Sequence, residues 1–362
     1  MVGTPLLDSP AWLRMQLLRL KSGIPVDISL LPSLTVGMEN VKEKLNNILD
    51  KRNRIRWMAV AGEFGTGKSH FLGLARHVGC TKGWAVGSLV ANTADGSLAQ
   101  PQRHLPFMLD TTVSPYGSAV GIVELFKEWW NGTRRSEIVQ WARANAGNLH
   151  LADELISLEK ESLTIDVVCE YLGAKMLGAR TGNPIYRRAV CHHFVQVISL
   201  LKATGHIGLL LLIDEVESVF RLATSRSWVA ALRTLSTYCC DPLLGDLRLV
   251  FMATPEARQE IRAELPGILQ EVESQISTPP EEKLALRRFA EELKRFGWGE
   301  CPRLEGSQRI ALARLVADLH IRANGKGEPF YPPLQIREWL SRRDVHVRYV
   351  IRMLLAYLDS YT

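Results

Sequence analysis

Gly62-Glu63-Phe64-Gly65-Thr66-Gly67-Lys68-Ser69 is a Gly-x-x-x-x-Gly-Lys-Ser stretch, and its flanks decide how the chain folds. Before it, Ile55-Arg56-Trp57-Met58-Ala59-Val60-Ala61 reads as a buried strand. After it, Phe71, Leu72, Leu74, Ala75 and Val78 recur at helical spacing, with His70 in the first turn. Strand, glycine loop and helix start come in the order a phosphate cradle needs. Glycines let successive backbone N–H groups turn inward on a phosphate chain, and the positive end of the following helix adds to the field there. Lys68 is the candidate for the β- and γ-phosphates, and the Ser69 hydroxyl for a bound Mg²⁺. A glycine-rich turn opening an ordinary helix is the alternative, and the complete pattern in this context argues against it.

The second anchor is Ile207-Gly208-Leu209-Leu210-Leu211-Leu212-Ile213-Asp214-Glu215. So long an aliphatic run suits a central parallel strand buried on both faces, and it ends in two carboxylates. In an open α/β sheet that edge is where ligands bind. Asp214 is expected to hold the hydrated Mg²⁺ and Glu215 to polarise an attacking water. A helix cap and first turn is the other reading of such an acid pair. Lys68, Ser69 and Asp214 are expected side by side on neighbouring strands.

A third strand, Leu247 to Ala253, runs into Thr254-Pro255-Glu256. The Thr254 hydroxyl is the candidate sensor of the γ-phosphate or of the water, with turn capping as the alternative. A short strand at Ser274 to Ser277 is expected to complete the sheet, followed by a helix with Thr278 as its N-cap. Upstream of the loop, Val36-Gly37 precedes an amphipathic segment, Glu39 to Leu49. Such a turn can wall an adenine, although a plain packing helix fits the spacing as well.

The chain has 362 residues, 46% hydrophobic and 23% charged, an ordinary globular composition with ample length for a core. Its six cysteines form no C-x-x-C pair, which argues for reduced thiols rather than a disulfide framework or zinc site. The His192-His193 pair lacks the spacing of a metalloprotease helix. No leader is visible, and no apolar run approaches the ~20 residues of a membrane span, so a cytoplasmic chain with no membrane partner is expected. Net charge is +6, and from Arg303 to Arg352 ten Lys/Arg stand against five Asp/Glu, so this segment holds five of the six excess charges. A solvated basic face and a DNA-binding surface are both consistent with that.

Three parts follow. Residues 1–35 are an N-terminal helical segment, 36–280 a nucleotide-binding domain and 281–362 a C-terminal helical lid. Between Thr93 and His206 the chain reads as a polar loop to His104 and then helices, far more than one crossover needs. A helical insertion at about 93–206 is expected. The fold class is α/β: a P-loop NTPase with a parallel sheet flanked by helices.

The order of Val36-Gly37, phosphate loop, Asp214-Glu215, Thr254 and a helical lid with arginines resembles the AAA+ ATPases, within them the origin-recognition and STAND-type branch. Gly62 to Leu72, Ile213 to Ser218, Ala253 to Glu256 and Arg348-x-x-x-Arg352 are together similar to the ATP-binding proteins of bacterial anti-phage islands. These are the BREX-type protein and relatives encoded beside a TerB-like protein and a helicase. The resemblance covers about Leu17 to Asp359 and is weakest over the insertion. It implies ATP and Mg²⁺ as ligands, a homo-oligomer, and coupling of hydrolysis to remodelling of a DNA or protein partner in defence. A helicase or TerB-like protein is then the expected partner, with DNA at the basic lid. A slow ATP-gated switch that recruits a nuclease or helicase is the alternative. The resemblance also implies that Arg348 reads the nucleotide from the lid, although Val347 precedes it where relatives have Pro. An arginine finger across a subunit interface is implied too. Arg226 and Arg221 are its candidates by position, with Arg233 and Arg248 also near.

Overall fold

A computed structural model describes residues 9–24, 26–91, 97–174, 184–218, 225–325, 334–342 and 346–360. Two compact units divide the chain and run across its linear order. One is Lys44–Ala61 with Val78–Gly299; the other is Met1–Glu43 with Gly62–His77 and Glu300–Thr362.

The larger unit is an α/β body built on a five-stranded sheet, of order β2-β3-β4-β1-β5. Its strands are β1 (Trp57–Ala61), β2 (Ala85–Val90), β3 (Leu209–Asp214), β4 (Leu247–Ala253) and the two-residue β5 (Gly299–Glu300). The four longer strands are parallel: Ala61 pairs with Ala253, Ile213 with Phe251 and Val90 with Asp214. Every residue of β1 and β4 is buried, as is all of β3 but Asp214. Unbroken aliphatic runs therefore sit where helices cover both faces. The strands of the phosphate loop and of Asp214 are not neighbours, as the sequence suggested. Strand β4 lies between them, which sets β1 and β3 about 9.6 Å apart at two strand spacings.

Helices Ile122–Trp130, Arg135–Asn145, His150–Glu159, Ile165–Leu172 and Pro184–Ala203 share one continuous core with this sheet. The polar stretch expected before them becomes a helix at Pro101–Asp110, because Leu105, Met108 and Leu109 bury together. Residues 92–96, in the first part of that stretch, lie outside the described residues. The strand expected at Ser274 to Ser277 does not form. Ala257, Ile261, Leu265, Ile268 and Val272 make a buried stripe that carries the helix Pro255–Ser274 to its end, and Ile276 is fully exposed. The next helix, Pro280–Phe296, has Pro279 rather than Thr278 at its N-cap, and the Thr278 hydroxyl instead meets Gln275 Oε1 at 3.2 Å. Among the described residues no helix is long and apolar enough to cross a membrane, and none of the six cysteines is in a disulfide.

The smaller unit is helical. Pro10–Ser22, closed by Gly23 in the left-handed conformation, packs against Gly306–Asn324 and Val347–Asp359. Leu13, Leu17, Val316, Leu319, Leu354 and Leu355 lie in its core.

One buried charge cluster ties distant parts of the larger unit together. Glu282 accepts hydrogen bonds from Arg187 Nε at 3.2 Å and from Arg233 Nη2 at 2.6 Å. Burial pushes the Arg187 guanidinium below its ordinary value, and Glu282 opposes that push. Removing the one carboxylate leaves two guanidinium groups facing each other out of water. Glu282→Ala is therefore expected to cost about 3–5 kcal/mol. Urea unfolding with an unchanged slope measures it; a loss below about 1 kcal/mol, the scale of a surface pair, contradicts this account.

Candidate functional site

In the smaller unit, the phosphate loop closes on itself. Gly65 and Gly67 have φ of 81° and 96°, a region costly to any residue with a Cβ. A Cβ added at Gly62 would lie 2.7 Å from Thr66 Oγ1, and one at Gly67 would lie 2.9 Å from Met38 Cε. Side chains at these glycines would meet Thr66 or Met38 or strain the backbone, while Glu63 and Phe64 between them are exposed. Thr66 donates to the Glu63 carbonyl through its N–H at 3.3 Å and its hydroxyl at 2.9 Å. Lys68 opens the helix Lys68–Thr81 and donates from Nζ to the Gly62 carbonyl at 2.9 Å. Ser69 follows it, exposed.

Three other segments of the same unit surround this loop. Arg303 donates from Nε to Glu63 Oε2 at 2.9 Å and forms a second, shorter contact through Nη2. The Arg348 guanidinium lies 5.9 Å from the Phe64 ring centroid, at the outer limit of a cation–π contact. His346, at the N-cap position of the helix Val347–Asp359, stands against Gly65, its Nδ1 3.0 Å from where a Cβ would be. Arg348 was legible from the sequence; Arg303, His346 and Met38 were not. No motif marks them, and only the basic count over Arg303 to Arg352 touched two of these segments. Another arginine in that count, Arg309, is buried and donates to the Leu304 carbonyl at 2.8 Å, so it does not serve a polyanion surface.

Gly37, at φ 74°, lies against Leu304 and Gln308, and Val36 packs on the core of this unit. The turn is tied to the phosphate-loop helix through His70. Thr35 spends its hydroxyl proton on the Leu31 carbonyl at 2.7 Å, so it accepts the Nε2–H of His70 at 2.9 Å. In the neutral ring this puts the proton on Nε2. Burial first, and the charge of Lys42 second, push His70 down to about 4.

In the larger unit, Asp214 and Glu215 stand at the carboxyl end of β3, half-buried and exposed respectively. Glu215 has φ of 56°, uncommon for a residue with a side chain and a backbone cost of order 1–3 kcal/mol. The turn is held by the Asp214 carboxylate, which accepts from Glu215 N–H at 2.9 Å. It is also held by Ala91 N–H to the Asp214 carbonyl at 2.9 Å and Val216 N–H to the Met252 carbonyl at 3.1 Å. These contacts hold the left-handed backbone at Glu215 in place. Thr254 lies at the end of β4 and caps the helix Pro255–Ser274, its Oγ1 accepting from Ala257 N–H at 3.3 Å. Capping uses a lone pair and leaves the hydroxyl proton to donate elsewhere.

The arginine-finger candidates separate clearly. Arg233 is bound to Glu282. Arg248 is buried, donates to the carbonyls of Ile48 at 2.6 Å and Gly245 at 2.9 Å, and lies over Trp84, with burial lowering it to about 10. Neither reaches a neighbour without breaking these contacts. Arg226 falls in the helix Ser225–Cys240, its side chain outside the described residues, as is all of Arg221. Among the described residues no group of three or more His, Cys, Asp or Glu is arranged to hold a metal. A magnesium held mainly by phosphates and waters needs no such group.

No protein-family model matches this chain, and neither a curated protein nor a solved structure does.

His70 gives the loop's helix a pH dependence of known sign. Its folded value of about 4 lies below the 6.5 of an unfolded histidine, so the unfolded chain binds the extra proton between those values. Stability is then lost as pH falls from about 6.5 towards 4, by on the order of 3 kcal/mol for this residue. Burial lowers His104, His193 and His206 to about 4 as well, with the same sign. His70→Gln is expected to lose less stability than the wild type between pH 7 and 4.5 in parallel thermal scans. Equal losses would mean that His70 does not carry this linkage.

Proposed function

We propose that this chain binds ATP with Mg²⁺ and hydrolyses it as an AAA+-like P-loop ATPase. The observation that carries the reading is the glycine loop. Gly65 and Gly67 hold positive φ that a residue with a Cβ adopts only at a cost, Lys68 stands at the head of a helix, and the loop leaves the strand β1 by a single peptide bond. What further supports it is the sheet: β4 and β3, the next two strands from β1, end in Thr254 and in Asp214-Glu215. A nucleotide fits the first feature, and the second brings the acids that hydrolysis needs.

In this reading the loop amides and the Lys68 ammonium bind the β- and γ-phosphates. Magnesium, when bound with the nucleotide, withdraws charge from these phosphates; Ser69 and Asp214 are the chain's donors to it. The Glu215 carboxylate orients the attacking water and takes its proton, and the Thr254 hydroxyl donates to the water or to a phosphate oxygen. Val36 and Gly37 wall the base, and Arg348 senses the phosphates. Arg226 is the proposed finger in a homo-oligomer, where it stabilises charge on the leaving phosphate.

Coupling to a DNA or protein partner in bacterial anti-phage defence, with a helicase or TerB-like protein among the partners, rests on sequence resemblance. A second reading is an ATP-gated switch that recruits a nuclease or helicase. The ties of Glu63 to Arg303 and of Phe64 to Arg348 favour it, because they link the loop to two C-terminal segments of its own unit.

Glu215→Gln is expected to keep ATP binding while turnover falls by about 10²–10⁴, the usual share of a general base. Phosphate release, measured with and without duplex DNA, checks this. Unchanged turnover removes Glu215 from the mechanism; wild-type turnover that DNA stimulates supports the motor, and a flat, negligible rate supports the switch.

A further inference from the structure

The phosphate loop carries a negative charge of its own. Glu63 is its second residue, placed where a nucleotide of three or four negative charges is proposed to bind, and an uncompensated carboxylate there repels that ligand. We propose that Arg303 is a positioning residue of this loop, which acts by neutralising and turning aside the Glu63 carboxylate so that the loop accepts a polyphosphate. The inference rests on the nucleotide reading above and names a residue outside the motif on which that reading was built.

Four observations carry it. Arg303 puts two donors, Nε and Nη2, on a single oxygen, Oε2, so the guanidinium is aimed at this carboxylate. Arg303 is itself held in place: Leu304 beside it is buried, and Glu305 starts the helix Gly306–Asn324 in a capping box with Gln308. The backbone that carries the cation is therefore held in place. The side chains of Arg303 and Glu63 are 58% and 46% exposed, so their pairing contributes little to folding and its consequence is local. Finally, the turn at Glu63 is closed through its backbone carbonyl by Thr66, independently of the carboxylate. Loss of the pair thus leaves the cradle's shape and changes its charge.

The effect must then follow ligand charge. With Arg303 removed, Glu63 repels ATP more than ADP and ADP more than AMP, and salt screens the difference.

Isothermal titration of the full chain with AMP, ADP and ATP in the presence of Mg²⁺, at low and high salt, tests this. The variants are Arg303→Gln, Arg303→Lys, Glu63→Gln and the Glu63→Gln/Arg303→Gln pair. Arg303→Gln is expected to weaken ATP about tenfold, equivalent to 1.4 kcal/mol. The loss should shrink from ATP to ADP to AMP and at high salt. Arg303→Lys should retain most of the binding, and the double variant should return to within about twofold of the wild type, since the repelling charge is gone. Unfolding curves matching the wild type confirm that the fold is kept. Unchanged binding by Arg303→Gln overturns the proposal, and so does a double variant as weak as Arg303→Gln, which would make the arginine a direct phosphate ligand or a structural one. A wild-type chain that binds none of the three nucleotides overturns the nucleotide reading itself, and this proposal with it.

Discussion

The parallel register of β1, β4 and β3 is the constraint from which the rest follows. Because Ala61 pairs with Ala253 and Ile213 with Phe251, the three strands end at one edge of the sheet. The residue after each strand then matters: Gly62 begins the glycine loop, Thr254 caps a helix, and Glu215 turns into the left-handed region. Parallel strands cannot be joined by hairpins, so each must be followed by a crossover. The hydrophobic cost of breaking the register is large, since β1 and β4 have no exposed residue.

Several buried polar groups of the larger unit are paired with one another. Glu282 gathers Arg187 and Arg233 from two other helices. His104 donates from Nδ1 to the Ser97 carbonyl at 2.9 Å and accepts the Tyr238 hydroxyl on Nε2 at 2.8 Å. His206 repeats the pattern with the Leu201 carbonyl and Ser114. Each imidazole is thereby held neutral in one tautomer, with both nitrogens used. Such groups specify one arrangement of the helices, because any other leaves a buried donor or acceptor without a partner.

How far the sequence could be read depends on whether the determinant is local. The phosphate loop, the aliphatic strands and the acid pair are contiguous, and their spacing states their chemistry. The position of β4 between β1 and β3 is set by pairing between residues some 190 apart along the chain, which no local pattern reveals. Ser274 to Ser277 taken alone reads as a strand, and only the buried stripe from Ala257 to Val272 carries the helix to Ser274. Arg233 and Arg248 illustrate the same limit: as arginines near the acid pair they were reasonable finger candidates, and only tertiary contact shows both committed elsewhere. Arg303 is the converse case. It lies 240 positions beyond Glu63, and nothing in its neighbourhood marks it as a partner of the loop.

Everything functional in this account depends on a magnesium–triphosphate being gripped by the glycine loop through Lys68. Calorimetric titration of the full chain with ATP and Mg²⁺, run beside Lys68→Ala, measures that grip directly. The account predicts a saturable single-site heat for the wild type that is lost or strongly weakened in the variant. A wild-type chain that gives no heat, or a variant that binds as tightly as the wild type, contradicts it.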